Sequence, residues 1–342
     1  METPVERDDQ RPSSHAAQPG HVSRSTAAIH VVIVSFNTRE LLRGCLRALF
    51  AQTARSLHVW VVDNASSDGS PDLVRREFPQ VRLIASPENV GFAAANNLAL
   101  RQILQAAPED EGPLASGPIL LLNPDTEVCP GAVDGMAEYL DAHPQAGMVG
   151  VQLLNADGTQ QRSYGTFWFA HLFRSFFRKH LRGEEAGLAG TAQSPISVDW
   201  LIGACLMLSS RALRQIGLLD EGFFIYGEEI DWQFRLHQAG FSVVLLPTLH
   251  VVHFGGQSTQ QAARAMRQQE YRSRYLLLAK YRGPAARGLY LAKVAAELSQ
   301  ESLRQLVAAT RQRDVQKLAA ARASLELLRV HFSSSFRQPS GG

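Results

Sequence analysis

Cysteine is scarce in this chain of 342 residues: Cys45, Cys129 and Cys205 are far apart and odd in number. No CxxC pair and no disulfide framework can be drawn, so a reducing compartment is expected. Long apolar runs are missing too. Nothing reaches the roughly 18 residues that span a bilayer, so any meeting with a membrane is expected at its surface. No GxGxxG follows the first apolar strand, and no GKS or GKT occurs, which excludes a dehydrogenase of the usual dinucleotide-binding kind and P-loop chemistry. The Gly- and Arg-rich phosphate loop of a nucleotidyltransferase is also lacking, FNTRELL standing in its place. The first 28 residues hold Pro, Ser, Gln and mixed charge without an apolar segment, and read as a disordered leader, not a signal peptide.

What is present is the composition of a soluble globular protein with a proper core, 45% hydrophobic and 19% charged. The net charge of +2 hides an asymmetry. Residues 260–332 carry 14 Lys/Arg against 5 Asp/Glu, a net of +9, so the remainder must carry −7. A basic appendage that touches something anionic is one reading of this, and an ordinary solvated helical face is the other.

The apolar pattern predicts repeated strand and helix. Ile29 to Phe36 is a continuous β-branched run, as in a strand buried on both faces of a parallel sheet. A helix follows to about Phe50, then a strand at His58 to Val62 and a helix from Pro71 to Phe78. Val81 to Ala85 and the small-residue helix Ala93 to Leu104 repeat the unit, and Ile119 to Leu122 adds a strand. Such alternation predicts an α/β fold with a doubly wound, mostly parallel sheet and helices on both faces. Further on come a helix near Gly131 to His143, strands at Met148 to Leu154 and Val198 to Leu208, a helix capped by Ser209 or Ser210, one from Glu228 to about Ala239, and a strand at Ser242 to Leu246. From Gln260 the pattern is helical to about Phe332, broken once by Gly283-Pro284. Phe167 to Arg182, with six aromatics and four Arg/Lys, reads either as an amphipathic interfacial element or as packed aromatics.

The stretch GPILLLNPDTE organises the rest. Its strand delivers Asn123, Pro124 and Asp125 to the carboxyl edge of the sheet, where ligands bind in open α/β folds. A carboxylate there can hold a hard cation, which in turn can hold a diphosphate. The other reading is an Asx-Pro turn. The acidic trio Glu228, Glu229 and Asp231 opens a helix, where one or two acids would complement the dipole. Three carboxylates within four residues exceed what capping requires, and crowding of like charges raises the pKa of at least one, as suits a general base.

In order along the chain stand VSFN, VDNASSDGS, ENVGFAAANN, LLNPDT, GACLMLSS, FFIYGEEIDWQFR and HxxHFGGQS. This series resembles the inverting family 2 glycosyltransferases of the GT-A fold, in particular the bacterial rhamnosyltransferase-like members, over roughly residues 29–275. The resemblance implies the roles that follow. Asp63 accepts the imide N–H of uracil or thymine, and Ser35, Phe36 and Asn37 line the same nucleoside seat. Asn89, Gly91 and Phe92 approach the diphosphate or sugar, Gly91 through its freedom of backbone. The Asp-x-Asp metal motif of the fold stands here as Asn123-Pro124-Asp125. Asn123 then faces ribose through its amide, and Asp125 is the sole carboxylate on a divalent cation, Mn2+ or Mg2+, with His253 as a further ligand. Glu229 occupies the place of the family's base, with Asp231 as the second choice and Glu228 orienting its neighbours. Trp200 is either a platform for the acceptor sugar or a core residue.

The expected domains are a leader at 1–28, a GT-A domain at 29–258 (donor half 29–127, acceptor half 128–258), a basic helical region at 259–332 and a disordered tail at 333–342. The expected activity is transfer of a sugar, best matched by rhamnose from dTDP-rhamnose, to a glycan or lipid-linked acceptor, with no nucleic acid involved. A UDP-hexose donor or a catalytically silent sugar-nucleotide-binding or scaffold protein is the alternative. The expected location is cytoplasmic, peripheral to an anionic membrane surface. Packing of Arg264, Arg267, Arg272, Arg274 and the apolar run after them onto the catalytic domain, or onto a second subunit in an oligomer, is the rival to that contact.

Overall fold

The computed structural model describes residues 27–106, 117–167, 169, 190–255 and 263–312, together with 317, 322 and 326. The expected leader up to residue 26, nearly all of the aromatic-basic segment after Phe167, Gly256 to Ser258 and most of 313–342, the expected tail included, lie outside those residues. The first strands are β1 (Ile29–Ser35), β2 (Leu57–Asn64), β3 (Arg82–Ser86) and β4 (Ile119–Leu122), alternating with α1 (Arg39–Gln52), α2 (Ser70–Glu77) and α3 (Phe92–Ala106). Then follow β5 (Thr126–Val128), α4 (Ala132–Ala142), β6 (Ala146–Leu154), β7 (Tyr164–Gly165), β8 (Ile196–Ser197), β9 (Trp200–Leu201), β10 (Cys205–Leu208), α5 (Ser210–Ile216), α6 (Glu228–Gln238), β11 (Ser242–His253) and α7 (Ala263–Gln312).

Among the described residues one nine-stranded sheet runs in the order β3-β2-β1-β4-β10-β6-β11-β5, with β8 on β11. The strands β1, β2, β3, β4, β6 and β11 share one direction, and β10 is inserted antiparallel between β4 and β6. The sheet buries both faces, as the β-branched run of β1 requires. One apolar core lies under α1, α2 and α4, built on Leu42, Leu46, Leu73 and Met136. The other lies under α3, α5 and α6, built on Leu100, Leu213, Trp232 and Leu236.

Two expectations are corrected. Val198 to Leu208 is not one strand. Gly203 and Ala204 interrupt it, β9 turning aside to pair with β7 while β10 joins the main sheet. Buried Gln233 completes β9 in the manner of a neighbouring strand, accepting from Leu201 N at 2.6 Å and donating to Leu201 O at 2.9 Å. The last strand does not stop at Leu246: after a register shift between Leu246 and His250 it continues to His253, where it pairs with β5.

Helix α7 is two helices joined across Gly283 (φ 80°, ψ 177°), with Pro284 opening the second. This break is where a Gly-Pro pair ends one helix and starts another. Its inner face closes a third apolar cluster of Tyr275, Leu278, Tyr290 and Val294 with Phe167, Phe169, Trp200 and Phe223. Each large side chain so removed from water contributes roughly 1.5–3 kcal/mol. The long C-terminal element is thereby packed against the sheet domain.

Candidate active site

Among the described residues three non-glycine residues have a positive φ, Asn37 (53°), Ala65 (68°) and Tyr226 (66°). This backbone is rare outside glycine and collects at sites where loops are held to a purpose. All three sit in loops at one edge of the sheet. After β1, Asn37 donates its N–H to Ser66 Oγ at 2.9 Å and accepts from Ser67 N at 2.8 Å on Oδ1. Arg39 N donates to Asp68 Oδ2 at 2.8 Å, so the loops after β1 and β2 are fastened together. Hydrogen bonds from Ser70 and Arg39 hold the Asp68 carboxyl below the usual carboxylate range against the burial that would raise it.

Asp63, next to last in β2, stands opposite Ser35 and is 2% exposed. Its Oδ2 accepts from Ser66 N at 3.0 Å, whereas its Oδ1 is buried and has no partner. It lines a cleft of about 520 Å³ walled by residues 65–67, 69, 71, 72, 75 and 85–87. Phe36 stands 40% exposed beside the same loops. Ser35, in contrast, is buried with its hydroxyl on Thr38 Oγ1 at 3.0 Å, and its side chain supports the strand end instead of lining the cleft.

The Asn89 to Phe92 loop is shaped by a residue that the sequence reading missed. Asn64, 3% exposed, donates to Asn89 Oδ1 at 2.9 Å and accepts from Val90 N at 2.9 Å. Gly91 has φ +88°, and a Cβ there would lie 2.6 Å from Phe224 O. Only a glycine lets this loop approach the FFIYGEEID segment so closely. Phe92 N then donates to Phe224 O at 2.6 Å, and Asn97 donates to Leu219 O and Glu221 Oε1 at 2.9 and 2.8 Å.

At the end of β4, Asn123 N donates to Ala204 O at 2.9 Å, and Thr126 Oγ1 donates to Asn123 O at 2.7 Å. Pairing of β5 with β11 sets His253 opposite Thr126, and Phe254 N donates to Asp125 O at 2.9 Å. His253 Nε2 thereby faces Asp125 Oδ1 at 3.5 Å, both side chains being largely buried. Residues 128 positions apart are brought together because β11 runs past Leu246. No group of three or more His, Cys, Asp or Glu poised for a metal exists among the described residues. An imidazole facing a carboxylate is a donor set that fits a divalent cation completed by ligand oxygens. Asn123 Oδ1 is buried without a partner beside it.

The acidic trio divides sharply. Glu228 is 4% exposed with Oε2 unpartnered, and burial with the adjacent Glu229 charge pushes its pKa well above the carboxylate range. Glu229 is raised by burial too, while its Oε2 accepts from Gly227 N at 2.9 Å. Its side-chain carbons lie 3.6–3.7 Å from where a Cβ on Gly203 would stand. Gly203 precedes Ala204, whose carbonyl accepts from Asn123 N, so Glu229 and the start of the Asn123–Asp125 loop are tied to two adjacent residues of one segment. Asp231 is different: wholly buried, it meets Arg235 Nε at 2.9 Å, Lys280 Nζ at 2.7 Å and Tyr281 OH at 2.5 Å. Its oxygens are engaged on both sides, which leaves it no proton-accepting role and corrects its candidacy as a base. Trp200 is corrected as well. It is 7% exposed, donates to Thr166 O at 2.9 Å and packs in the third core cluster, so its ring has no face to offer a sugar.

Comparison with known proteins identifies the family. The model of the family described as Glycosyl transferase family 2 matches residues 30–202, half of the chain. The N-acetylglucosaminyl-diphospho-decaprenol L-rhamnosyltransferase of Mycobacterium tuberculosis (strain ATCC 25618 / H37Rv) is 28% identical over 269 residues, 74% of this chain and 85% of that protein. The dTDP-rhamnosyl transferase RfbF of Shigella flexneri is 24% identical over 226 residues, 66% of this chain and 68% of its own. Among solved structures, the mannosyltransferase PcManGT of Pyrobaculum calidifontis, in complex with GDP-Man and Mn2+, superposes with a TM-score of 0.51 at 17% identity over 92% of this chain and 89% of its own, and so shares the fold. On the strength of that family match and those relatives, the chain belongs to glycosyl transferase family 2 and is a glycosyltransferase similar to the bacterial rhamnosyltransferases.

Proposed function

We propose that this enzyme moves rhamnose from dTDP-rhamnose to a hydroxyl of a lipid-linked or glycan acceptor in surface polysaccharide synthesis, in one displacement that inverts the anomeric carbon. The activities named for the Mycobacterium tuberculosis and Shigella flexneri relatives support the donor and the lipid-linked acceptor. The observation that carries the chemistry is the short link between Glu229 and the Asn123–Asp125 loop, Glu229 packing on Gly203 and Asn123 N donating to the carbonyl of the next residue, Ala204.

In this reading Asp63 Oδ1 accepts the imide N–H of thymine, which would satisfy the buried acceptor that has no partner in the protein. Phe36 covers the base and Asn37 the neighbouring ribose, while Asn89, Gly91 and Phe92 shape the space for diphosphate and sugar. Asn123 Oδ1 accepts from a ribose hydroxyl. Asp125 and His253 would hold a divalent cation, Mn2+ or Mg2+, which supplies countercharge to the departing diphosphate. Glu229 takes the proton of the acceptor hydroxyl as that oxygen bonds to the anomeric carbon and the bond to the diphosphate breaks, its electron pair leaving with the phosphate oxygen. Burial raises the pKa of Glu229, which makes its carboxylate a stronger base. Burial and the neighbouring Glu229 charge raise the pKa of Glu228 well above the carboxylate range, which disfavours a second negative charge beside the base.

No helix among the described residues is long and apolar enough to cross a membrane. The net +9 of residues 260–332 supports a peripheral position on anionic lipid at the cytoplasmic face, where a lipid-linked acceptor is met. The division at 127/128 into donor and acceptor halves follows the same reading.

The test is release of dTDP from dTDP-rhamnose with Mn2+, beside a panel of UDP-hexoses. Glu229→Gln is expected to lower kcat by about 10²–10⁴-fold with dTDP affinity unchanged, and Asp125→Ala to abolish dependence on the metal. Full turnover in Glu229→Gln would overturn the base, and turnover of a UDP-hexose alone would overturn the donor.

A further inference from the structure

We propose that Gln161 is a positioning residue that fixes the tautomer of His253, turning its Nε2 lone pair onto the cation site and giving that site a preference for Mn2+ over Mg2+. The inference rests on the reading of Asp125 and His253 as cation ligands. Gln161 lies 92 residues from His253 in sequence, and neither the family match nor the sequence pattern assigns it a role.

The chain of assignment starts at a carboxylate. Asp157 Oδ1 can only accept, so at 2.6 Å it takes the hydroxyl proton of Thr159. Hydrogen bonds from Thr159 hold that carboxyl below the ordinary range, so it stays ionised. Thr159 Oγ1 is then the acceptor for Asn155 Nδ2 at 2.8 Å, which fixes which end of the Asn155 amide is oxygen. That oxygen, together with His253 O, faces one end of the Gln161 amide, at 2.7 and 2.6 Å. Two acceptors meet there, so the end is Nε2 and both its protons are used. Gln161 Oε1 is left facing His253 Nδ1 at 3.0 Å, and an amide oxygen accepts, so Nδ1 carries the hydrogen. In the neutral ring Nε2 is therefore bare, and it confronts Asp125 Oδ1 at 3.5 Å. In that neutral form two lone-pair atoms face each other, an arrangement that a cation completes.

The backbone of Gln161 is equally fixed. Its N–H donates to Leu153 O at 2.7 Å, and its carbonyl accepts from Gln152 Nε2 at 2.7 Å and Ser163 Oγ at 3.1 Å. Hence the turn after β6 acts as an outer clamp on an imidazole carried by β11. Partners that hold the second nitrogen of a ligating histidine set ring orientation and ligand basicity, and losing one lowers metal affinity by roughly ten- to a hundredfold. Imidazole favours Mn2+ over the harder, oxygen-seeking Mg2+, so misorienting the ring should weaken Mn2+ most.

The experiment loads the full chain with Mn2+ and dTDP, reads nitrogen coupling to the Mn2+ by pulsed electron paramagnetic resonance, and titrates Mn2+ and Mg2+ separately. The expected result in Gln161→Leu is loss of the coupling, an affinity for Mn2+ lower by about ten- to a hundredfold, a smaller loss for Mg2+, and no further loss when His253→Ala is already present. Gln161→Glu, which keeps an acceptor on Nδ1, is expected to retain both the coupling and the Mn2+ preference. Should Gln161→Leu fail to fold by circular dichroism, loss of the coupling in a folded Gln161→Glu protein overturns the proposal. A folded Gln161→Leu protein with unchanged coupling and unchanged Mn2+ to Mg2+ ratio overturns it as well, leaving the cation reading intact. Absence of nitrogen coupling in the unmodified protein overturns the reading of His253 as a ligand, and the proposal with it.

Discussion

Asp63 offers the sharpest test at the level of single atoms. Replacing it by Asn keeps the shape but removes the negative charge and offers an N–H₂ where one of its oxygens stands. With Oδ1 meant for an imide N–H, the loss of a hydrogen bond to a charged group, about 1.5–3 kcal/mol, should weaken dTDP and UDP by roughly ten- to a hundredfold in calorimetric titration. Unchanged affinity would mean that the orphaned oxygen has another purpose. Glu229 gives a pH prediction. A base must be unprotonated, and burial lifts this one, so the acid limb of kcat/KM should fall above the ordinary carboxylate value of 4.5, and Glu229→Gln should remove that limb from the residual activity. His30 works in the opposite sense. Burial, His58 and Arg82 press its pKa down to about 4 from 6.5. Between those values the unfolded chain binds the proton and the folded one does not, so stability should decline as pH falls from 6.5 towards 4. Denaturant midpoints for His30→Leu should show a shallower decline, and an identical slope would exclude His30 as its source. Asp63, Asp125 and His253 were legible from sequence because each stands in a short motif beside a strand end. Asn64 and Gln161 were not, because a polar side chain whose partners lie 25 or 92 positions away leaves no local pattern.

The strands β1 to β4 and their helices were readable for a physical reason: a strand buried on both faces is a continuous apolar run, and a helix packed on it is amphipathic. The break between β9 and β10 and the length of β11 depend on pairing with strands distant in sequence, which no local propensity encodes. The acidic helix α6 shows how such non-local ties govern the site. It starts from a backbone reversal at Tyr226 and Gly227, both with positive φ, and is held at its head by the Asn89–Phe92 loop and along its flank by α7. Gly91→Ala would place a methyl group 2.6 Å from Phe224 O at φ +88°. Strain of about 1–3 kcal/mol is expected, together with displacement of Phe224 and its neighbours. Thermal unfolding should register the strain, and kcat should fall more than dTDP affinity, since the displaced segment leads to Glu229. An Ala substitution that left both unchanged would show that the close approach of the two loops is incidental.

At the scale of the molecule, the family match ends at residue 202, yet the packed structure does not. Helix α7 closes an aromatic cluster over Trp200 and Phe223, and Lys280 joins Asp220 at 2.6 Å to Asp231 at 2.7 Å. Ser273 Oγ also donates to Ile225 O at 3.0 Å, and Gly227 packs 3.1 Å, at its absent Cβ, from the Ser273 side chain. The C-terminal element thus supports the turn from which the acidic helix springs. A chain ended after residue 262 would expose that cluster and leave buried Asp231 with Arg235 as its remaining cation. Breaking such a buried set by removing one partner costs roughly 3–5 kcal/mol, a large share of the 5–15 kcal/mol by which a folded chain is stable. The shortened protein is therefore expected to aggregate or to lose cooperative thermal unfolding, whereas Lys280→Met in the full chain should stay folded with a lowered melting temperature. If the shortened chain unfolds cooperatively at the same temperature and releases dTDP at the same rate, α7 contributes nothing to the catalytic fold, and its basic surface is left as the whole of its purpose.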